Sequence, residues 1–222
     1  IHHSKEMYDH KRSGITHASV QGDDFEKTPK WREEWGKPVI WDECKYEGNI
    51  PSRWGDISAQ EMVRRFWLGT VYGGYVGHGE TYLEPKDILW WSKGGVLHGQ
   101  SAPRIGFLRK VLEAGPAEGL TPLANSYYPA TGKPGEYYLY YLDYHQAAQV
   151  DFPAPAEGPF AVDVIDPWEM TMTPAGTFSR RCRDQSLACR DRPSAVLSSL
   201  YGRSNRRPTA VYVASVLGGP LR

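Results

Sequence analysis

The stretch Lys37-Pro38-Val39-Ile40-Trp41-Asp42-Glu43-Cys44 constrains the fold of this chain more than any other. Gly36-Lys37-Pro38 interrupts what precedes it, because proline fixes φ and restricts the residue before it. Three consecutive apolar residues follow, and the run ends in two acids and then the turn-forming Tyr46-Glu47-Gly48-Asn49. A short apolar run bounded by breakers reads as a buried strand.

The neighbouring segments say what kind of sheet it belongs to. Ile15–Val20 is short and rich in β-branched residues, as a strand is, and Trp31–Trp35 reads as the end of a helix. Ser58-Ala59-Gln60-Glu61 has the form of a capping box. Met62, Val63, Phe66, Trp67, Thr70 and Val71 follow as one apolar helical stripe, which Gly73-Gly74 ends. Tyr75–His78 is the next strand. A last helix starts at Ser101-Ala102-Pro103, carries Ile105, Leu108, Val111 and Leu112 on one face, and stops at Gly115-Pro116. Strand and helix in alternation predict α/β architecture, a parallel sheet with crossover helices, over residues 1–121.

Residues 122–178 lose the helical period. Tyr137–Tyr141, Phe160–Ile165 and Glu169–Thr173 read as strands with Pro, Gly and Asp turns between them, predicting a small all-β, sandwich-like domain. Composition then changes abruptly. Residues 1–178 hold 17 Lys+Arg and 24 Asp+Glu, whereas residues 179–222 hold 9 Arg and 2 Asp and contain no Lys, Glu or Trp. The Arg-, Ser- and Ala-rich end predicts a tail that is disordered or read out of frame, since GC-rich codons in a shifted frame favour those residues. Ala210–Leu217 reads there as a strand or as nothing regular.

Composition excludes some functions. The formal net charge is +0, and the basic tail has no aromatic interleaving or nucleic-acid motif, so no nucleic-acid partner is expected. No apolar run reaches the ~18 residues of a membrane span, so no membrane partner is expected either. Three cysteines at no zinc spacing offer neither a disulfide framework nor a metal signature. His2, His3, His17 and His78 with Glu80 could be imagined around a zinc ion, but no HExxH-like spacing exists, and no metal or cofactor is expected. The chain opens at Ile1 in what reads as mid-domain sequence, so further residues are expected upstream. Aromatic content of 13%, with 8 Trp and 14 Tyr, suits stacking on sugars as well as ordinary packing.

Chemistry concentrates where strands end. In parallel barrels the active site lies at the C-terminal ends of the strands, where a carboxylate can face the mouth. Strict alternation would put Val39, Trp41 and Glu43 on one face and turn Asp42 toward the helices. His78 and Glu80 share a face of Val76-Gly77-His78-Gly79-Glu80, where they could meet a ligand or each other. His17, Gln21, His3 and Tyr46 are further polar candidates, and Trp90-Trp91 offers a platform for a sugar ring.

Ile1–His10, Ile15–Gly22, Lys37–Ile50, Gly73–Tyr82 and Ile88–Gly99 together resemble the last third of clan-A (β/α)8-barrel glycoside hydrolases. The resemblance is to the apiosidase-like, cellulase-related barrels that carry a small C-terminal β-domain. It implies that Ile1–Ser4 ends the fifth barrel strand and that Ile15–Gln21, Lys37–Cys44 and Gly73–Glu80 are the sixth, seventh and eighth. It implies further that Glu43 is the nucleophile of a retaining mechanism, with a carbohydrate substrate bound by His78, Glu80, His17, Gln21, His3, Tyr46, Trp90 and Trp91. The family's acid/base comes from the fourth strand, which has no counterpart here; Glu80 or Glu47 would be the alternatives within the chain. The competing reading is a non-catalytic carbohydrate-binding or structural module, with a buried Glu43 and a row of exposed aromatics on the β-domain.

Overall fold

The computed structural model describes residues 2–3, 7–83, 96–124, 126–144, 150–151, 160–178, 194–195 and 211–216. It divides into two compact units, Ile1–Lys110 and Val111–Arg222. In the first unit the elements run β1 (His2–His3), β2 (Ala18–Gln21), α1 (Thr28–Trp35), β3 (Val39–Glu43), β4 (Glu47–Gly48), α2 (Ala59–Val71), β5 (Tyr75–Val76) and β6 (Glu80–Thr81). Helix α3 (Ser101–Glu113) follows and crosses the division.

β1, β2, β3 and β5 form one parallel sheet whose spatial order follows the sequence. Parallel neighbours require crossovers, and α1 and α2 supply two of them. α1 carries proline in its first turn and ends at Gly36, whose φ of 62° closes the last turn in the left-handed region. At the start of α2, the Glu61 amide donates to Ser58 Oγ at 3.2 Å. The α2 stripe is buried at Met62, Val63, Phe66, Trp67 and Val71. Thr70 is only half-buried, and Arg65, Leu68 and Gly69 join the buried face. Gly69 is where α2 meets the sheet, since a Cβ there would lie 2.4 Å from Val76 Cγ2.

Trp41 anchors this layer. Its ring lies 4.9 Å from Phe25 and 5.6 Å from Trp31, and its Nε1 donates to Thr28 Oγ1 at 2.9 Å. Ala18, Val20, Val39 and Trp41 are all essentially inaccessible. Ala18 pairs with Val39 and Val20 with Trp41, so these four side chains share the helix-facing side. β2 and β5 are shorter than predicted, because Ile15–His17 precede the pairing and the chain leaves it after Val76.

The second unit adds β7 (Thr121–Pro122), β8 (Ala130–Lys133), β9 (Tyr137–Tyr141), β10 (Val150–Asp151), β11 (Phe160–Asp166), β12 (Thr171–Phe178), β13 (Ser194–Ala195) and β14 (Val211–Val216). Six of these form one antiparallel sheet in the order β12-β11-β14-β9-β8-β7, and β10 pairs with β13. Among the described residues these are one six-stranded sheet and a two-stranded ribbon. All five residues of β9 are buried, so both of its faces are covered. Ala130, Tyr138, Tyr140, Leu142, Phe160 and Val162 pack as its core.

Three expectations change here. The second unit begins earlier than residue 122, because β7 already pairs with β8 at Thr121 and Gly115 lies beside the Tyr137 ring. The tail is not uniformly without structure: Val211–Val216 forms β14, hydrogen-bonded to β11 on one side and β9 on the other. The rest of 179–222, apart from Ser194–Ala195, lies outside the described residues. The strand expected at Glu169–Thr173 starts later, at Thr171, because Met170 adopts φ 55° in the preceding turn.

Candidate active site

Glu43 ends β3 in the interior of the parallel sheet, and its face is set by an irregularity. Ser19 pairs with Ile40 and Val20 with Trp41, but Gln21 pairs with Glu43, so Asp42 is the extra residue of a bulge. Alternation would have left Glu43 on the helix-facing side with Trp41. The extra residue brings it instead to the side of Ser19 and Gln21. Asp42 does not turn toward the helices as expected: its Oδ2 accepts from the Ser19 hydroxyl.

Both oxygens of Glu43 are engaged. Gln21 Nε2 donates to Oε2, and the Tyr46 hydroxyl donates to Oε1 at 2.5 Å. Tyr46 reaches back because Lys45 stands in the left-handed region at φ 74°, an uncommon conformation for a residue with a Cβ. Its ring fills space that only glycine leaves at position 79, where a Cβ would meet Tyr46 Cδ1 at 2.3 Å. Burial, then the bond to Glu43, holds the Tyr46 phenol well above its usual range, so it stays a donor.

The ends of β2 and β3 are fastened from behind by Arg65, which is 6% exposed. It donates to the Cys44 carbonyl at 2.9 Å, to Glu61 Oε1 at 2.8 Å and to Asp23 Oδ2 at 3.0 Å. Cys44 itself is buried, and burial pushes its thiol up to about 11 although Arg65 works against it. Such a thiol is a packing group rather than a nucleophile.

Glu43 opens into a cleft of about 530 Å³ lined by Gln21, Glu43, Tyr46, Trp54, Gly79, Glu80 and Thr81. Of the sequence candidates it therefore holds Glu43, Gln21, Tyr46 and Glu80. His17 does not join them. It is exposed, precedes β2, and bonds to Thr16 Oγ1 at 2.9 Å, at the end of the sheet opposite Gln21. β1 aligns His3 with Val20, one residue short of the level of Gln21, and the side chains of His2 and His3 lie outside the described residues. Trp90 and Trp91 also lie outside them. Trp54, which the sequence reading passed over, lines the cleft. The available signal was an aromatic inside the loop after the strand that carries the two acids.

Glu47, His78 and Glu80 form a second cluster with ligand-capable atoms within 4.8 Å of one another. β4 and β6 pair in parallel and set Glu47 level with Glu80. Glu47 is fully buried, and its oxygens accept from Tyr82 Oη (2.9 Å), the Gln100 amide (2.8 Å), the Ser101 amide (3.1 Å) and the Ser101 hydroxyl. Burial pushes this carboxyl up, but the Ser101 hydroxyl, the Gln100 amide, Tyr82 and the Ser101 amide together hold it below its ordinary range. Glu80 Oε2 accepts from the His98 and Gly99 amides at 2.8 and 3.0 Å, while Oε1 lies 3.8 Å from His78 Nε2. His78 in turn lies 3.0 Å from Ser101 Oγ.

Two carboxylates thus gather the amides that lead into α3, where the helix carries positive partial charge. That surrounding favours anions over an added cation, and Glu47 has no lone pair left to give a metal. The cluster caps a helix; it leaves Glu47 unsuited to proton transfer and His78 turned toward Ser101.

Residues 127–187 match the family model described as "Domain of unknown function (DUF5605)". That match continues past Phe178 into the Arg-rich end. No curated protein matches the chain. Among solved structures, a protein provisionally named a glycoside hydrolase from Bacteroides vulgatus ATCC 8482 superposes with TM-score 0.74 at 28% identity, over 96% of this chain and 43% of its own. A second, named a glycoside hydrolase, gives TM-score 0.63 at 14% identity over 89% of this chain and 47% of its own. A third, a glycoside hydrolase family 5 protein from the same Bacteroides strain, gives 0.60 at 14% over 89% and 46%. The chain has a fold found in glycoside hydrolases and spans less than half the length of each of these structures.

Proposed function

We propose that this chain carries the nucleophile side of a retaining glycoside hydrolase, with Glu43 as the nucleophile and a poly- or oligosaccharide as substrate. The observation that carries the reading is the setting of Glu43. It ends an interior strand of a parallel sheet, opens into a cleft, and is held through both oxygens by Gln21 and Tyr46. In this reading β1, β2, β3 and β5 are the last four strands of a (β/α)8 barrel, and their sequential parallel order is what such a barrel requires.

The chemistry is a double displacement. Glu43 attacks the anomeric carbon as an ionised carboxylate while a second carboxyl, ~5–5.5 Å away in retaining enzymes, protonates the departing oxygen. The glycosyl ester on Glu43 is then opened by water that the second group activates. Gln21 and Tyr46 hold the attacking oxygens in position and Arg65 fixes the strand ends behind them. The second carboxyl is supplied from outside the residues of this chain, in the portion of the structural neighbours that the chain does not span.

A 2-deoxy-2-fluoroglycoside with a good leaving group tests this. Incubated with the intact enzyme and digested, it is expected to leave a fluorosugar on the peptide containing Glu43. In Glu43→Ala, azide is expected to restore turnover as the inverted glycosyl azide. Label on another acid, or full turnover by Glu43→Ala, would refute the assignment.

A further inference from the structure

We infer that Trp54 is the floor of a sugar-binding subsite beside Glu43. The inference rests on the glycosidase reading above and adds to it the surface that holds the substrate. Trp54 is 39% exposed, whereas Trp41 and Trp67 of the same unit are inaccessible. It lines the cleft that also holds Glu43, Gln21 and Glu80. A cleft that combines one accessible aromatic face with a few converging carboxylate and amide groups is suited to a pyranose or furanose ring. The apolar C–H face of the sugar covers the indole, and its hydroxyls reach the polar groups.

The loop that carries Trp54 is built to keep the indole still. The Tyr46 amide donates to the Trp54 carbonyl at 2.9 Å, and the Ile57 amide donates back to the Tyr46 carbonyl at 3.3 Å. Thr81 Oγ1 donates to the Gly55 carbonyl at 2.7 Å. A Cβ at Gly55 would lie 2.5 Å from Ile50 Cδ1, so the backbone next to Trp54 is in close contact on its inner side. The Tyr46 and Trp54 rings meet edge to face at 5.8 Å and 84°, while the Tyr46 hydroxyl bonds Glu43. One residue therefore sets both the platform and the nucleophile, and a ring lying on Trp54 is indexed to Glu43 through Tyr46. A rigid, pre-placed aromatic loses little entropy when a ligand binds.

Binding and turnover separate the subsite from the mechanism. The Glu43→Gln enzyme is titrated calorimetrically with cellotetraose, xylotetraose, mannotetraose and arabinotetraose, alone and with Trp54→Ala or Trp54→Phe added. The expected result is binding of at least one sugar by Glu43→Gln. Trp54→Ala should weaken it about tenfold, or about 1.4 kcal/mol, and Trp54→Phe should weaken it less. Hydroxyl-radical footprinting, with buried Trp67 as internal reference, is expected to show Trp54 protected by the bound sugar. This measurement needs no substitution at Trp54 and stands if the alanine variant fails to fold. Unchanged affinity in Trp54→Ala, or no protection of Trp54, while Glu43→Gln still binds, overturns the subsite and leaves the nucleophile assignment standing. Undiminished hydrolysis by Glu43→Gln, or no binding of any of these sugars, overturns the underlying reading and the inference with it.

Discussion

At the scale of single residues, the candidate site depends on a donor and a backbone turn rather than on Glu43 alone. Removing the Tyr46 hydroxyl keeps the ring that packs on Trp54 but takes away one donor to Glu43. In the intact enzyme Tyr46→Phe is expected to lower kcat by roughly tenfold, the scale of one hydrogen bond to a charged group, with KM little changed. Steady-state kinetics on an aryl glycoside check this. Cys44 gives a second residue-level expectation. Its thiol is buried and raised to about 11, so at pH 8 iodoacetamide should leave Cys44 unmodified in the folded protein and alkylate it in denaturant, as read by peptide mass mapping. An apolar run ending in acids singled out Glu43 as a candidate. The face it occupies was not legible, because one bulge residue reverses the alternation and no side chain in Asp42-Glu43 announces a bulge. Tyr46 as a donor depends equally on Lys45 at φ 74°, a conformation that lysine does not advertise.

At the scale of elements, the N-terminus of α3 is stabilised by acids from β4 and β6 that are distant in sequence. Glu47 receives four hydrogen bonds inside the protein, so Glu47→Gln, which turns a donor toward donors, should destabilise the first unit by about 3 kcal/mol, a few charge-assisted bonds' worth. The pH dependence follows from the direction of the shift. A carboxyl held below its ordinary value contributes its full stabilisation above about pH 4.3. That contribution fades as pH falls through the lower folded-state value. Urea denaturation at several pH values should show the gap between wild type and Glu47→Gln narrowing on acidification; a constant gap would contradict the account. The helices and most strands could be read because caps, breakers and apolar stripes are local signals. The role of Glu47 could not, since in sequence it sits in a turn and its partners are 35 or more residues away.

At the scale of the whole chain, the four parallel strands form an open sheet among the described residues, with β1 and β5 at its edges. An open parallel sheet leaves unpaired backbone, which a barrel removes by closing. The chain expressed alone is expected to hydrolyse aryl glycosides no faster than its Glu43→Gln variant, whereas the intact enzyme should exceed that variant by at least ~3 orders of magnitude. Described helices offer no span long and apolar enough to cross a membrane. The end of the chain is where composition misled most. Arginine, serine and alanine dominate residues 179–222, yet Val211-Tyr212-Val213-Ala214-Ser215-Val216 is enriched in β-branched residues that suit a strand. Removing residues 211–222 should abolish cooperative melting of the second unit in calorimetry, since separated β9 and β11 edges put at risk a stability of only ~5–15 kcal/mol.

The position of β14 also fixes an order of events during synthesis. β9 and β11 are made before β14, yet each takes β14 as its neighbour in the sheet. The centre of that sheet must therefore wait until Val211–Val216 has been made, and closing loops of this length slows the search. Until then two strand edges, one of them carrying four tyrosines, stand open to any other nascent chain nearby. β14 thus acts as a release step: a polypeptide stalled short of Val211 would be a substrate for chaperones rather than a shorter version of the domain.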